Sequence, residues 1–346
     1  MNRSPLLLSA FALVGAASVA PLSTAHACAA LSRDGTPIRT VDEAAVIAWN
    51  PATQEERFVR RASFEHAAAG SADTGFLVPT PTQPTLEAID NSLFVTLEDY
   101  VNDKVVPIST GGNSSGDGGG CGSSTLEDGA SAPGTRAGVD VVEEVRVGGQ
   151  DATVLKASDA KALEQWLGAH DFTITPEVST YLQRYVDNGW YLTAFQYVAR
   201  NGSRIDTQAV SMRFQTPAPF YPYREAASPA PSSEPRSLRI FTLSPSEMVA
   251  TKGLGDTPWA AGRSEWSGSL DESARPRLPA GLALAAGTKL SVFEDRSSPR
   301  NGDEEVYFEA HSSGTLSRVL ASPFGLLALA GVVWRKKTAR RLMAAR

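Results

Sequence analysis

Apolar and polar positions along this chain fall into short alternating runs, with a few stretches at helical spacing. Residues 43–49, Glu-Ala-Ala-Val-Ile-Ala-Trp, read as a buried strand, and residues 57–67, with Phe58 and Phe64, as the next. Asn50-Pro51-Ala52-Thr53 between them suits a hairpin turn. Residues 76–79 predict a third strand, stopped by the proline run that follows. From residue 85 to 101, Leu86, Ile89, Leu93, Leu97 and Tyr100 recur at helical spacing and predict a helix. Residues 139–146 and 152–156 predict two strands joined around Gly148-Gly149. A helix is expected from an N-cap at Ser158 to about Gly168, with Ala160, Leu163 and Leu167 on one face and Trp166 beside them. Another opens at Thr175-Pro176, carries Val178, Tyr181, Leu182, Tyr185 and Val186 on one stripe, and stops at Asp187-Asn188-Gly189. Residues 190–199, 207–214, 238–243, 290–293 and 306–310 predict further strands, and residues 216–236 a covering loop and flexible segment. The expected class is α+β, a mixed or largely antiparallel sheet packed by two or three helices.

The two ends add a compartment. Arg3, an apolar run over residues 6–20 and the small-residue pattern Ala25-His26-Ala27 predict a secretory signal over residues 1–27. Residues 319–334 carry no charge, and Phe324, Leu326, Leu327 and Leu329 make the centre of that run apolar. Trp334 suits an interfacial anchor, and Arg335, Lys336, Lys337, Arg340, Arg341 and Arg346 predict a cytoplasmic end. Residues 316–334 are therefore expected to form a transmembrane segment, N-out and C-in. The sixteen residues 319–334 reach about 24 Å as a helix, against a hydrocarbon core of ~30 Å. A removable sorting tag is the alternative, which would give a surface-sorted form; no LPxTG-type motif is present. Between the ends stand an N-terminal β-rich part (28–110), a Gly/Ser-rich loop (111–138) and the α+β remainder (139–312). Cys28 and Cys121 then both lie outside the cytoplasm and form a disulfide candidate. That bridge would close a loop of about 90 residues, worth up to ~4–5 kcal/mol in the chain-entropy model. A lipidated Cys28 or free thiols are the alternatives.

Composition changes the picture at one point. The 346 residues are 42% hydrophobic and 20% charged, which excludes a mostly disordered chain. The formal net charge of −6 is an average over unlike parts. Arg3 gives the signal one positive charge and the residues after Trp334 give the tail six, which leaves −13 for residues 28–334. An acidic outer domain disfavours docking on anionic lipid or polyanions without divalent cations. Basic residues cluster only in the tail, so no nucleic-acid partner is expected.

Motifs for chemistry are few. Ser158-Asp159-Ala160-Lys161 matches the Ser-x-x-Lys nucleophile pattern, but its companion motifs are missing and Ser158 already serves as a helix cap. His66, His170 and His311 lack the close spacing of a zinc site. A triad could still assemble from distant positions, although no Gly-x-Ser-x-Gly elbow is present. The glycine run 111–120 lacks a Gly-Lys-Ser/Thr sequence and a calcium-binding repeat, and no cofactor is expected. Trp49, Trp166, Trp190, Tyr181, Tyr185, Tyr191, Phe195 and Tyr197 form an aromatic-rich set whose spacing favours a core over a carbohydrate platform. Tyr221 and Tyr223, in a proline-flanked turn, are better candidates for an exposed contact, with packing still the favoured role.

Three blocks carry a resemblance: residues 152–167, ending in Trp166-Leu167; Ile174-Thr175-Pro176-Glu177; and residues 182–192, with Tyr185 and Gly189-Trp190. They resemble the bacterial exported proteins grouped as the domain of unknown function numbered 2330. A signal ending just before Cys28, the run 75–81 after a hairpin, and Phe214 followed by Pro219-Phe220-Tyr221-Pro222 fit the same group. The resemblance covers about residues 28–245. Members often carry more cysteines near the mature N-terminus, where this chain has only Cys28. The resemblance implies an envelope location and a shared architecture. It brings no activity and no catalytic residues. The expectation is a membrane-anchored cell-envelope protein whose acidic extracytoplasmic domain is a binding or structural module for an envelope protein or wall polymer. The alternative is an exported hydrolase with dispersed catalytic residues.

Overall fold

The computed structural model describes residues 24–27, 29–33, 38–66, 74–105, 135–136, 138–197, 204–228, 235–255, 257–298, 300 and 302–311, with backbone alone at 24–27, 29, 135–136 and 227–228. Cys28, Cys121, residues 1–23 of the expected signal and residues 106–134 lie outside the described residues, as does the C-terminal segment with Phe324, Leu326, Leu327, Leu329, Trp334, Arg335, Lys336 and Lys337. Among the described residues, no helix is long and apolar enough to cross a membrane. The chain divides into units Met1–Glu309 and Ala310–Arg346, and the architecture below is that of the first.

Two large sheets face each other. One has eight strands, in the order Trp266–Ser269, Lys289–Asp295, Ser237–Ser244, Ile38–Asn50, Glu55–His66, Val210–Gln215 and Thr85–Ala88, with Arg204–Asp206 also paired to Glu55–His66. Its pairings are antiparallel except that Ser237–Ser244 runs parallel to Ile38–Asn50. The other is antiparallel, with six strands in the order Ala29–Ser32, Thr74–Thr80, Tyr191–Tyr197, Gln150–Ala157, Val139–Val147 and Thr135–Arg136. Strands from before and after residues 111–138 thus share both sheets. A small four-stranded sheet, with Phe220–Tyr221, Val306–Ala310, Met248–Lys252 and Thr257–Pro258, closes one side. The backbone of Thr24–Ala27 pairs antiparallel with Glu225–Ser228.

Period-two alternation sorts the side chains into layers. On Ile38–Asn50, Ala45 and Ile47 enter the central core, while Ala44, Val46 and Ala48 enter an outer one. On Thr74–Thr80, Phe76 and Val78 point into the central core and Leu77 into the opposite outer core. Helix α1, Ser92–Lys104, covers the eight-stranded sheet through Leu93, Phe94 and Leu97. Helices α2, Ala160–Ala169, and α3, Pro176–Asp187, cover the six-stranded sheet. The result is helix, sheet, sheet and helices in four layers: a mostly β domain with three helices.

The structure adds strands that the pattern did not predict, Ala29–Ser32, Arg204–Asp206, Met248–Lys252, Thr257–Pro258 and Trp266–Ser269, and departs from it further as follows. The single helix expected over 85–101 is a strand, Thr85–Ala88, followed by α1 from Ser92. Leu86 satisfies both periodicities, but Asp90 accepts the Ser92 N–H at 2.7 Å and turns the chain between them. The cap of α2 is Asp159, not Ser158: Asp159 Oδ1 accepts the Ala162 N–H at 2.8 Å, while the Ser158 hydroxyl donates to the Gly138 carbonyl at 3.1 Å. Asp159→Ala is therefore expected to lower the unfolding free energy by about 1 kcal/mol and Ser158→Ala by less, measured by urea denaturation. Finally, the covering loop at 216–236 contains strands Phe220–Tyr221 and Glu225–Ser228. By contrast, α3 forms as its sequence predicts. Thr175 Oγ1 accepts the Val178 N–H, Pro176 takes the first turn, and Gly189 at φ +66° ends the helix.

Candidate functional site

The residues singled out from sequence do not converge. Ser158 precedes α2 with its hydroxyl committed to Gly138, and Lys161 is exposed. His66 is buried with Nε2 2.7 Å from Thr74 Oγ1. His170 stacks on Trp166 at the end of α2, and His311 is exposed. Among the described residues, no group of three His, Cys, Asp or Glu is placed to hold a metal ion. Trp166, Tyr181, Tyr185, Phe195 and Tyr197 are core residues, and Trp49, Trp190 and Tyr191 pack against the core half-buried. Tyr221 and Tyr223 are 0% and 2% exposed, which corrects their reading as exposed contacts and bears out packing.

The convergence lies among charged residues that the sequence did not single out, joined by Tyr221 and Tyr223. Glu43 pairs across the hairpin with Ala62 and across the parallel pair with Leu238, which in turn faces Asp295. Arg60 is two residues from Ala62 on the same strand face, a diagonal neighbour of Glu43. All these side chains face the central core. Arg60 Nη2 lies 2.7 Å from Glu43 Oε1. Arg300, from the loop after Lys289–Asp295, lies 3.1 Å from Glu43 Oε2, 2.9 Å from Asp295 Oδ2 and 3.8 Å from Glu225 Oε1. Arg236 closes on Glu225. The Tyr221 hydroxyl donates to Glu43 at 3.0 Å, and that of Tyr223 to Asp295 at 2.7 Å. Three acids and three arginines thus meet inside the protein.

The electrostatics fit mutual neutralisation. Burial alone would raise Glu43, but Arg60 and Arg300 outweigh it and hold the carboxyl below its ordinary value. Arg300 is held above its ordinary value against burial by Glu43, Glu225 and Asp295. Glu225 is pulled both ways. Burial pushes its carboxyl up, Arg236 and Arg300 pull it down, and the balance leaves it at about 8. Arg236, which closes on it, favours the carboxylate, while Arg300 keeps Glu43 and Asp295 whichever form Glu225 takes. Arg60 also reaches across the core, its guanidinium carbon 3.7 Å from the Phe76 ring centre on the six-stranded sheet.

Two further buried carboxyls behave differently. Glu305 accepts from the Tyr185 hydroxyl at 2.5 Å and the Arg224 N–H at 3.1 Å, and burial raises it. Among the described residues, Glu56 accepts the Phe220 N–H alone, at 2.9 Å, and its buried Oε1 has no partner; burial lifts the group well above its ordinary value. Neutral Glu56 binds a proton that an unfolded glutamate loses near 4.5. Its contribution to stability is complete below that pH and is lost as pH rises through the higher folded value. Glu56→Gln is expected to be more stable than the parent above neutral pH and to flatten the pH dependence. Glu305 shifts in the same sense and leaves part of the slope. Unfolding midpoints across a pH series measure both.

An open groove of about 120 Å³ lies at the end of the Ile38–Asn50/Glu55–His66 hairpin. Ala48, Leu243, Leu282 and Leu284 wall it on the outer-core face of the sheet, with the Trp49 side chain packed against the central core on the other face, and Asn50, Glu55 and Arg57 supply its polar groups. Ala283, between Leu282 and Leu284, holds a left-handed backbone at φ +49°. Arg57 fixes this corner: its Nη1 lies 2.7 Å from Glu87 Oε2, and a Cβ on Gly281 would come within 3.2 Å of it.

The buried cluster could have been suspected from charged residues at inward positions of apolar strands, Glu43 before Ala44-Ala45-Val46 and Arg60 after Phe58-Val59. Asp295, Arg300, Glu225 and Arg236 carry no such signal, because loops and short strands bring them in.

Comparison with known proteins agrees with the sequence blocks. No match stands among the curated proteins. Among solved structures, the crystal structure of baculovirus P35 is similar at a TM-score of 0.41 and 10% identity, over 80% of this chain and 98% of that one. That similarity is too low to bear on fold or function. The family model described as "Uncharacterized protein conserved in bacteria (DUF2330)" matches residues 22–283, a longer stretch than the 28–245 that the sequence blocks cover. The chain belongs to that family of bacterial proteins.

Proposed function

We propose that this protein is a cell-envelope module that binds or supports another envelope component, held at the membrane by its C-terminal segment with the acidic domain outside the cytoplasm. One observation carries the reading. The acids and bases that the fold gathers from distant positions, Glu43, Arg60, Glu225, Arg236, Asp295 and Arg300, neutralise one another inside the core. They join the strands of a rigid layered domain and are not presented to a substrate. The charge of −13 over residues 28–334, set against the six cations after Trp334, supports the outside and inside assignment. The Cys28–Cys121 bridge and the retained or processed state of the C-terminus belong to the same proposal. The full chain, purified and offered a panel of esters, glycosides and peptides, is expected to turn over none of them. Turnover of any would favour the exported hydrolase. Mass spectrometry reads the C-terminus: an intact Arg346 supports the anchor and excludes the processed tag.

A further inference from the structure

We infer that Glu56 is a proton-operated latch on the short strand Phe220–Tyr221. Protonated, it holds the Phe220 end of that strand on the eight-stranded sheet; ionised, it lets that end lift while the large sheets stay folded. The latch follows from the ladder. The Phe308 N–H donates to the Pro219 carbonyl at 2.9 Å. The next pair, Phe220 with Tyr307, therefore exchanges no bonds, and the Phe220 N–H points away from its own sheet. Its acceptor is Glu56, at 2.9 Å. Pro219 and Pro222 bracket the strand and bring no N–H of their own, so few backbone bonds hold it. At the other residue, the Tyr221 hydroxyl is tied to Glu43 at 3.0 Å. Tyr221 is thus the hinge and Phe220 the moving end.

Among the described residues, no cation pairs with Glu56. Its cross-strand neighbours on the central-core face are Trp49 and Phe214. The next charge on its own strand face, Arg60, is bound to Glu43. Across the small sheet stands Tyr307. Beyond it lie Glu304 and Glu305, both paired with Arg224, and Tyr185 of α3, whose hydroxyl donates to Glu305. Burial, Glu305 and Glu56 raise the Tyr307 hydroxyl, Arg224 lowers it, and the balance leaves it at about 12, so it stays neutral. A carboxylate in this setting must draw in water. Solvent is one ring away: the Phe220 ring packs at 5.4 Å on Trp190 and at 5.7 Å on Tyr307, both half-buried. Lifting Phe220 is the shortest route for water to Glu56, and it is a local opening rather than an unfolding.

Hydrogen exchange of the full chain, read by mass spectrometry over a pH series upward from 4.5 and corrected for the intrinsic pH dependence of exchange, tests the latch. In peptides spanning Phe220 and Phe308, the opening constant is expected to rise about tenfold per pH unit and to level off at the folded value of Glu56. Peptides of Ile38–Asn50 are expected to stay protected. Glu56→Gln is expected to remove the slope. Glu305→Gln is expected to keep it, because Tyr185 and Arg224 hold Glu305 away from the moving end. A parent without the slope, or a slope that survives Glu56→Gln, overturns the latch. So does loss of protection in Ile38–Asn50 in step with Phe220, which would mark global unfolding. A slope removed by Glu305→Gln instead assigns the proton to Glu305 and also overturns it.

Discussion

Arg300→Met is expected to lower the unfolding free energy by about 3–5 kcal/mol. Methionine is long enough to occupy much of the arginine's volume, so lost packing contributes little. The loss comes from charge. Arg300 is 2% exposed and lies against Glu43, Asp295 and Glu225, and its removal leaves three buried acids with Arg60 and Arg236 alone. A buried carboxylate without its counter-ion must take up a proton or admit water, and either weakens the fold. Urea denaturation should show a lower midpoint with an unchanged slope, since the surface exposed on unfolding is the same. Arg296→Met is the control. That side chain is 77% exposed, and its replacement should leave the midpoint in place.

Phe76→Ala is expected to cost about 3–5 kcal/mol. Phe76 is 0% exposed in the central core, with its ring 5.3 Å from that of Phe64. Its removal leaves a cavity between the sheets and takes away the face on which the Arg60 guanidinium rests. Phe76→Leu should lose less, because it keeps much of the volume but not the ring. The two sheets communicate through this contact, so Phe76→Ala and Arg60→Met should not add. Their shortfall from additivity, read from denaturation of both single variants and the double, measures the coupling across the core.

Much of the fold was legible in local pattern, and the misses have physical causes. Trp166-Leu167, Thr175-Pro176 and Gly189-Trp190 announce their helices and stops because caps, proline and glycine act over one or two residues. The Glu55–His66 strand was visible from Phe58 and Phe64, and its partner from the apolar run before Trp49. The helix expected over 85–101 failed because Leu86 and Ile89 mimic helical spacing across a turn that Asp90 makes. The strand Phe220–Tyr221 is too short, and too close to prolines, to show any period. The parallel pairing of Ser237–Ser244 with Ile38–Asn50 joins positions nearly 200 residues apart, which local pattern does not report. The same distance hid the charge cluster. Glu43 and Arg60 sit on one hairpin, but Glu225, Arg236, Asp295 and Arg300 reach them only after the whole sheet has formed. The groove was not legible: Asn50, Glu55 and Arg57 come from one hairpin, while Leu282, Ala283 and Leu284 come from the far end of the domain.

A double-mutant cycle between Arg300→Met and Glu43→Gln, read by equilibrium urea denaturation, tests most directly whether the buried charges hold the domain together. Each single substitution is expected to destabilise, and the double should lose less than the two together, with a coupling of about 1–3 kcal/mol. Single variants as stable as the parent or more so, with no coupling, would contradict the account. They would mark the cluster as a functional site retained at a cost in stability.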